Sequence, residues 1–186
     1  MEEIDLKNKF IRILLKKMSL SIFLVGVMAL FYFYAMFFID HKNHLIIYVI
    51  ILFAVFKTIT LSYNTIKQLS RIVKKCHSFN QLLWIFGLLI GLSIFSFATD
   101  YTCLFMFNNQ SFIGTSFGKN YFSELFQFFY FSLTTFSTLG YGDISPASNP
   151  ARFLVILEVF LSFLIIVFAV SNISKIHITE NINDNK

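Results

Sequence analysis

The chain has 186 residues, of which 56% are hydrophobic and only 13% charged, with 26 Phe and a mean hydropathy of +0.70. Neither a water-soluble globular domain nor a disordered segment has that balance. The formal net charge of +5 comes from 15 Lys and Arg against 10 Asp and Glu, so the placement of these few charges carries most of the topological information.

Residues 1–17 (M-E-E-I-D-L-K-N-K-F-I-R-I-L-L-K-K) mix apolar Ile4, Leu6, Phe10, Ile13 and Leu14 with Lys7, Lys9, Arg12, Lys16 and Lys17. The spacing fits an amphipathic helix on the inner leaflet, or equally a basic anchor that sets topology. A membrane span takes about 20 apolar residues at about 1.5 Å each to cross roughly 30 Å of hydrocarbon. Met18 to Ile39 meets that requirement without a charge, and it is too long for the apolar core of a cleaved signal peptide. A tight turn, Asp40-His41-Lys42-Asn43-His44, leads into a second span from Leu45 to Tyr63. Its one charge, Lys57, is expected to snorkel toward the cytoplasmic headgroups. Residues 64–81 carry Lys67, Arg71, Lys74 and Lys75 and read as a cytoplasmic basic linker.

A third span runs from Leu82 to about Thr99, with Asp100 and Tyr101 expected at the outer interface and 101–120 as an outer loop. Tyr121 to Phe136 is apolar but too short to cross, which makes it re-entrant, with Asn120 or Ser123 as N-cap. Irregular backbone at that depth is tolerated only where protein buries it or it lines a watery cavity. The last span, Phe153 to Ile173, contains a single charge, Glu158. A carboxylate there is expensive unless paired or protonated, so hydroxyls on the re-entrant helix, at Ser132, Thr134 or Thr135, are its expected partners. Arg152 reads as an interfacial anchor, and 175–186 as a short polar tail. Basic residues cluster before the first span and after the second, which puts both termini inside and the re-entrant loop outside. Cys76 and Cys103 then fall on opposite sides and cannot bridge within one chain.

Between the re-entrant helix and the last span lies Thr138-Leu139-Gly140-Tyr141-Gly142-Asp143, preceded by F-Y-F-S-L-T-T-F-S at 129–137 and followed by Ile144-Ser145-Pro146. This string between hydrophobic helices resembles the pore signature of potassium channels, over roughly residues 82–174. The resemblance implies an all-α membrane protein: four transmembrane helices plus a re-entrant pore helix and filter. Its parts would be a basic segment (1–17), a transmembrane hairpin (18–63), a linker (64–81), a pore domain (82–174) and a cytoplasmic tail (175–186). The backbone carbonyls of Thr138, Leu139, Gly140 and Tyr141, with the Thr138 hydroxyl, would bind K+ in place of water. Gly140 and Gly142, at alternate positions, would supply the positive φ that points carbonyls one way.

The same resemblance implies that Asp143 and Tyr130 support the filter, and that Ser162, Phe163, Ile166, Val170 and Ser174 line the cavity on the inner helix; Glu158, from the cost of its charge, is expected to brace the filter from behind. Departures from the family pattern are Thr134, where some members have a glutamate that partners the filter aspartate, and Ser162, where a hinge glycine is frequent. Asp143 would then rely on Tyr130. The chain lacks a span bearing repeated arginines, so a voltage sensor is not expected. A single filter string cannot close a ring, hence a homotetramer is implied. The expected activity is passive, potassium-selective conduction across the cell membrane, with no enzyme chemistry, no cofactor beyond permeant K+ and no nucleic acid. A non-conducting accessory subunit and a weakly selective cation channel are the alternatives.

Overall fold

A computed structural model describes residues 19, 21–35, 38, 45–66, 79–114 and 120–184, with side chains described outside 79–82 and 172–184. The basic segment 1–17, the 40–44 turn with its histidines, and the linker cations with Cys76 lie outside the described residues. The elements in order are α1 (Ser21–Ala35), α2 (Leu45–Asn64), α3 (Phe79–Phe107), β1 (Phe112–Gly114), α4 (Tyr121–Phe136), β2 (Ile144–Pro146) and α5 (Asn149–Asp184). Three helical stretches are long and apolar enough to cross a membrane: Leu45–Asn64, Leu83–Phe107 and Asn149–Ser171. The first of the four expected spans is described as a helix only over Ser21–Ala35, shorter than a crossing.

Two helices form the N-terminal hairpin. Asn64 at the end of α2 donates to the Ser21 hydroxyl at the start of α1 at 2.7 Å, and Phe31 meets Phe53 edge to face at 5.4 Å. In α2 the buried positions are Ile46, Ile50, Ala54, Lys57, Thr58 and Leu61, steps of three or four residues that keep to one side of a helix. That stripe faces α3 and α5. Lys57 lies inside it and is 1% exposed, so it does not snorkel. Its ammonium donates to Asp100 Oδ2 at 2.6 Å and to the Ser96 carbonyl at 3.0 Å. Asp100, in turn, is fully buried and not interfacial. The third helix passes it and continues to Phe107, two turns beyond the expected end near Thr99.

The core concentrates in the outer half of α3, where residues 96–105 are all buried because α2, α4 and α5 close around them. Tyr101 is its centre: its ring lies 5.2 Å from Phe131, 5.5 Å from Phe112 and 6.2 Å from Phe128, in tilted or edge-on arrangements favourable for aromatic rings. Cys103 is buried in the same helix, on the expected outer half of α3. The helix is followed by a feature that an all-α expectation does not contain, a two-stranded antiparallel ribbon. It pairs Phe112 with Pro146, Ile113 with Ser145 and Gly114 with Ile144. The last helix does not stop at the expected membrane edge but runs on to Asp184 through the polar tail.

Candidate functional site

The re-entrant helix α4 ends at Ser137, and residues 137–140 satisfy its last carbonyls. Ser137 donates to the Leu133 carbonyl through both its amide (3.0 Å) and its hydroxyl (2.7 Å). The Thr138 amide reaches Thr135 O at 3.0 Å, and the Leu139 and Gly140 amides share Thr134 O at 2.9 and 3.3 Å. The helix end and the start of the 138–143 string are thus one hydrogen-bonded knot, with the negative end of the helix dipole facing the string. At the other end of α4, Asn120 occupies the N-cap position without a side-chain cap bond.

Within the string the sign of φ alternates. Thr138, Gly140 and Gly142 have φ of 60°, 53° and 81°, and they are the positive-φ residues among those described. Residues of alternating hand are the backbone pattern that can turn successive N–H groups to one side and carbonyls to the other, and the alternation here is in φ. A Cβ at Gly140 or Gly142 would meet nothing within 4 Å, so backbone conformation and not space calls for glycine at these two positions. Thr138 shares the pattern with a branched side chain, a cost of about 1–2 kcal/mol that glycine would not carry. Such strain persists where surrounding bonds over-determine it, here the knot at Leu133, Thr134 and Thr135. The two glycines were readable from their alternate spacing, whereas no sequence signal marks the threonine.

Residues 137–143 are all exposed in the single chain, with Leu139 60% and Tyr141 66% accessible. Tyr141 lies parallel to Tyr130 with ring centroids 6.4 Å apart, and the Tyr130 hydroxyl sits beside the Asp143 carboxylate. Just after the string, β2 is held on one side by β1, while Ala147 and Ser148 donate to Ser111 O at 2.9 and 3.3 Å. Arg152 at the start of α5 reaches back to Pro146 O at 3.4 Å.

Behind α4, Glu158 is fully buried. One carboxyl oxygen contacts the Ser132 hydroxyl and the other accepts from Tyr101 at 2.6 Å. Of the three hydroxyls expected near it, Ser132 is there, whereas Thr134 turns back to Phe131 O at 3.0 Å. Tyr101 is the partner that spacing did not suggest, because it comes from α3 and lies 57 residues away. Ser132 also stands 3.0 Å from Ile94 O, and its single proton serves one of the two acceptors. A protonated Glu158 satisfies the whole set, donating to Ser132 while Ser132 donates to Ile94.

On α5, Ser162 is buried and donates to Val159 O at 2.8 Å within an unbroken helix. Phe163, Ile166 and Val170 are 67%, 42% and 63% exposed, on the side away from the chain's own core. The side chain of Ser174 lies outside those described. A second apolar face, Phe122, Phe126, Phe129 and Leu133 on α4, is likewise open.

A sequence model of the family described as ion channel matches residues 101–178. Two-pore potassium channel 4 of Arabidopsis thaliana is 34% identical over 87 residues, which covers 44% of this chain and 29% of that protein. Potassium channel subfamily T member 1 of Gallus gallus is 40% identical over 43 residues, covering 23% of this chain and 4% of that protein. The chain therefore spans less than a third of either relative. No solved structure matches at a comparable level of significance.

Proposed function

We propose that the protein is one subunit of a homotetrameric, potassium-selective channel of the cell membrane, with both termini cytoplasmic; the ion-channel match over residues 101–178 and the likeness to two potassium channels support this reading. The observation that carries this reading is the alternation of φ at Thr138, Gly140 and Gly142 in a string that the single chain leaves exposed. Carbonyls turned to one side of such a string become a cage only when other copies complete the ring, and four copies with cyclic symmetry do so. A dehydrated cation would then exchange its water for the carbonyls of Thr138, Leu139, Gly140 and Tyr141.

The remaining elements take roles around that cage. The C-terminal end of α4 directs its dipole at a waiting cation. Phe163, Ile166 and Val170 would line the inner cavity, and the open aromatic face of α4 would pack on its neighbour. Transport is passive and involves no covalent step. The deciding experiment is reconstitution in bilayers with opposed potassium and sodium gradients. The expected reversal potential lies near the potassium value; a value near that of sodium, or no current, overturns the reading.

A further inference from the structure

The hairpin of α1 and α2 is joined to the pore unit by a buried polar contact placed back to back with the Glu158 cluster. Lys57 on α2 pairs with Asp100 on α3, and the next residue, Tyr101, donates to Glu158. Glu158 contacts Ser132 in the middle of α4, two residues before the carbonyl of Thr134 that anchors the start of the 138–143 string. Each side chain along this route is buried: Lys57, Asp100, Tyr101, Glu158 and Ser132 are at most 1% exposed. The Lys57 ammonium also stands 5.7 Å from the centre of the Phe97 ring. Tyr32 of α1, 2% exposed, brings its hydroxyl beside the same Asp100 carboxylate without the alignment of a hydrogen bond. Elements from both halves of the molecule therefore converge on two consecutive residues of α3.

A buried ion pair is a poor way to gain stability, since desolvation offsets most of the attraction. What it supplies is a fixed depth and rotation for α2 against α3. We propose that Lys57 is a positioning residue for the filter: through Asp100 and the adjacent Tyr101 it sets the Glu158–Ser132 contact behind α4, so that the N-terminal hairpin stabilises the ion-occupied form of the 138–143 string. The two sites are then linked, and each must favour the other by the same factor. A hairpin displaced along its axis would weaken ion binding in the filter, and an empty filter would loosen the hairpin.

This rests on the proposed potassium-binding string, and the experiment separates the two. Thermal protection of the detergent-solubilised protein is measured against potassium and sodium chloride, since an ion that binds only the folded filter raises the melting temperature by mass action. If potassium protects the unaltered protein no better than sodium, the channel reading itself fails. Given selective protection, the double variant Lys57→Met/Asp100→Asn, which leaves no unpaired buried charge, is expected to melt near the unaltered protein at saturating potassium. Its half-protecting potassium concentration is expected to rise about tenfold, within the usual range of linkage between sites. An unchanged midpoint overturns the proposal. A second measurement needs no variant: amide hydrogen exchange of the unaltered protein in potassium against sodium. Exchange should slow around 54–61 of α2 as well as in α4, and slowing confined to α4, the string and α5 overturns the proposal.

Discussion

Thr138 occupies a backbone conformation that a β-branched residue avoids, next to two glycines for which the same conformation costs little. On the proposed reading its hydroxyl is a cation ligand that a glycine would lack, so the strain and the proposed chemistry reside in one residue. Gly140→Ala is expected to cost about 1–2 kcal/mol per chain through φ, since within one chain a methyl there meets nothing within 4 Å, and any contact across the proposed ring adds to that cost. Lower thermal stability together with lost potassium flux would be the signature, and an alanine variant that conducts normally would remove the requirement for a left-handed residue. Glu158 makes a second contrast. Glu158→Ala leaves the Tyr101 hydroxyl buried without its acceptor, about 1–3 kcal/mol for the orphaned group, while Ser132 keeps Ile94 O; Glu158→Gln keeps an acceptor for Tyr101 and a donor for Ser132. Thermal unfolding should therefore rank glutamine well above alanine. Glu158 was legible because a carboxylate is costly in an apolar span, and Gly140 and Gly142 because of their alternate spacing; Tyr101 was not, since a tyrosine after a hydrophobic run fits an interface equally well.

At the scale of elements, α2 shows how a local rule can mislead. A lysine near one end of a span reads as snorkelling, yet Lys57 continues the stripe of Ile46, Ile50, Ala54 and Leu61, and that period of three and four was the sign that it faces protein. The end of α3 was missed for a different reason: residues 100–107 mix polar and aromatic side chains, and only the packing of α2, α4 and α5 around them makes a continued helix favourable. Three-residue strands fall below any periodicity a sequence can display, so β1 and β2 were invisible. Their anchor is Phe112, 3% exposed, with rings of Phe128 at 4.8 Å and Phe131 at 5.7 Å. Phe112→Ala should cost about 3–5 kcal/mol. It should also speed hydrogen exchange at the Ala147 and Ser148 amides, which bond to Ser111; unaltered exchange there would show that the ribbon does not depend on the ring.

For the whole molecule, the open apolar faces of α4 and α5 can lie against lipid or against another chain, and the partner proposed for them and for the exposed string is three more copies of the chain. Light scattering of the protein in mild detergent should give a mass of four chains after subtraction of the micelle; a monomer or dimer would contradict it. The overall class was readable from composition and from one six-residue string, while the way the hairpin meets the pore unit depended on contacts between residues about forty positions apart. The ribbon has a further meaning at this scale. It sets Phe112–Gly114 against Ile144–Pro146, so the stretch between them, with α4 and the string, leaves the domain and rejoins it at one doorway. A segment whose ends are already fastened together can be lifted out and replaced at little cost in chain closure. The 112–146 excursion is in that sense a cassette, and its exchange between related proteins should need the two strands as splice points and, behind α4, a matching Tyr101 and Glu158.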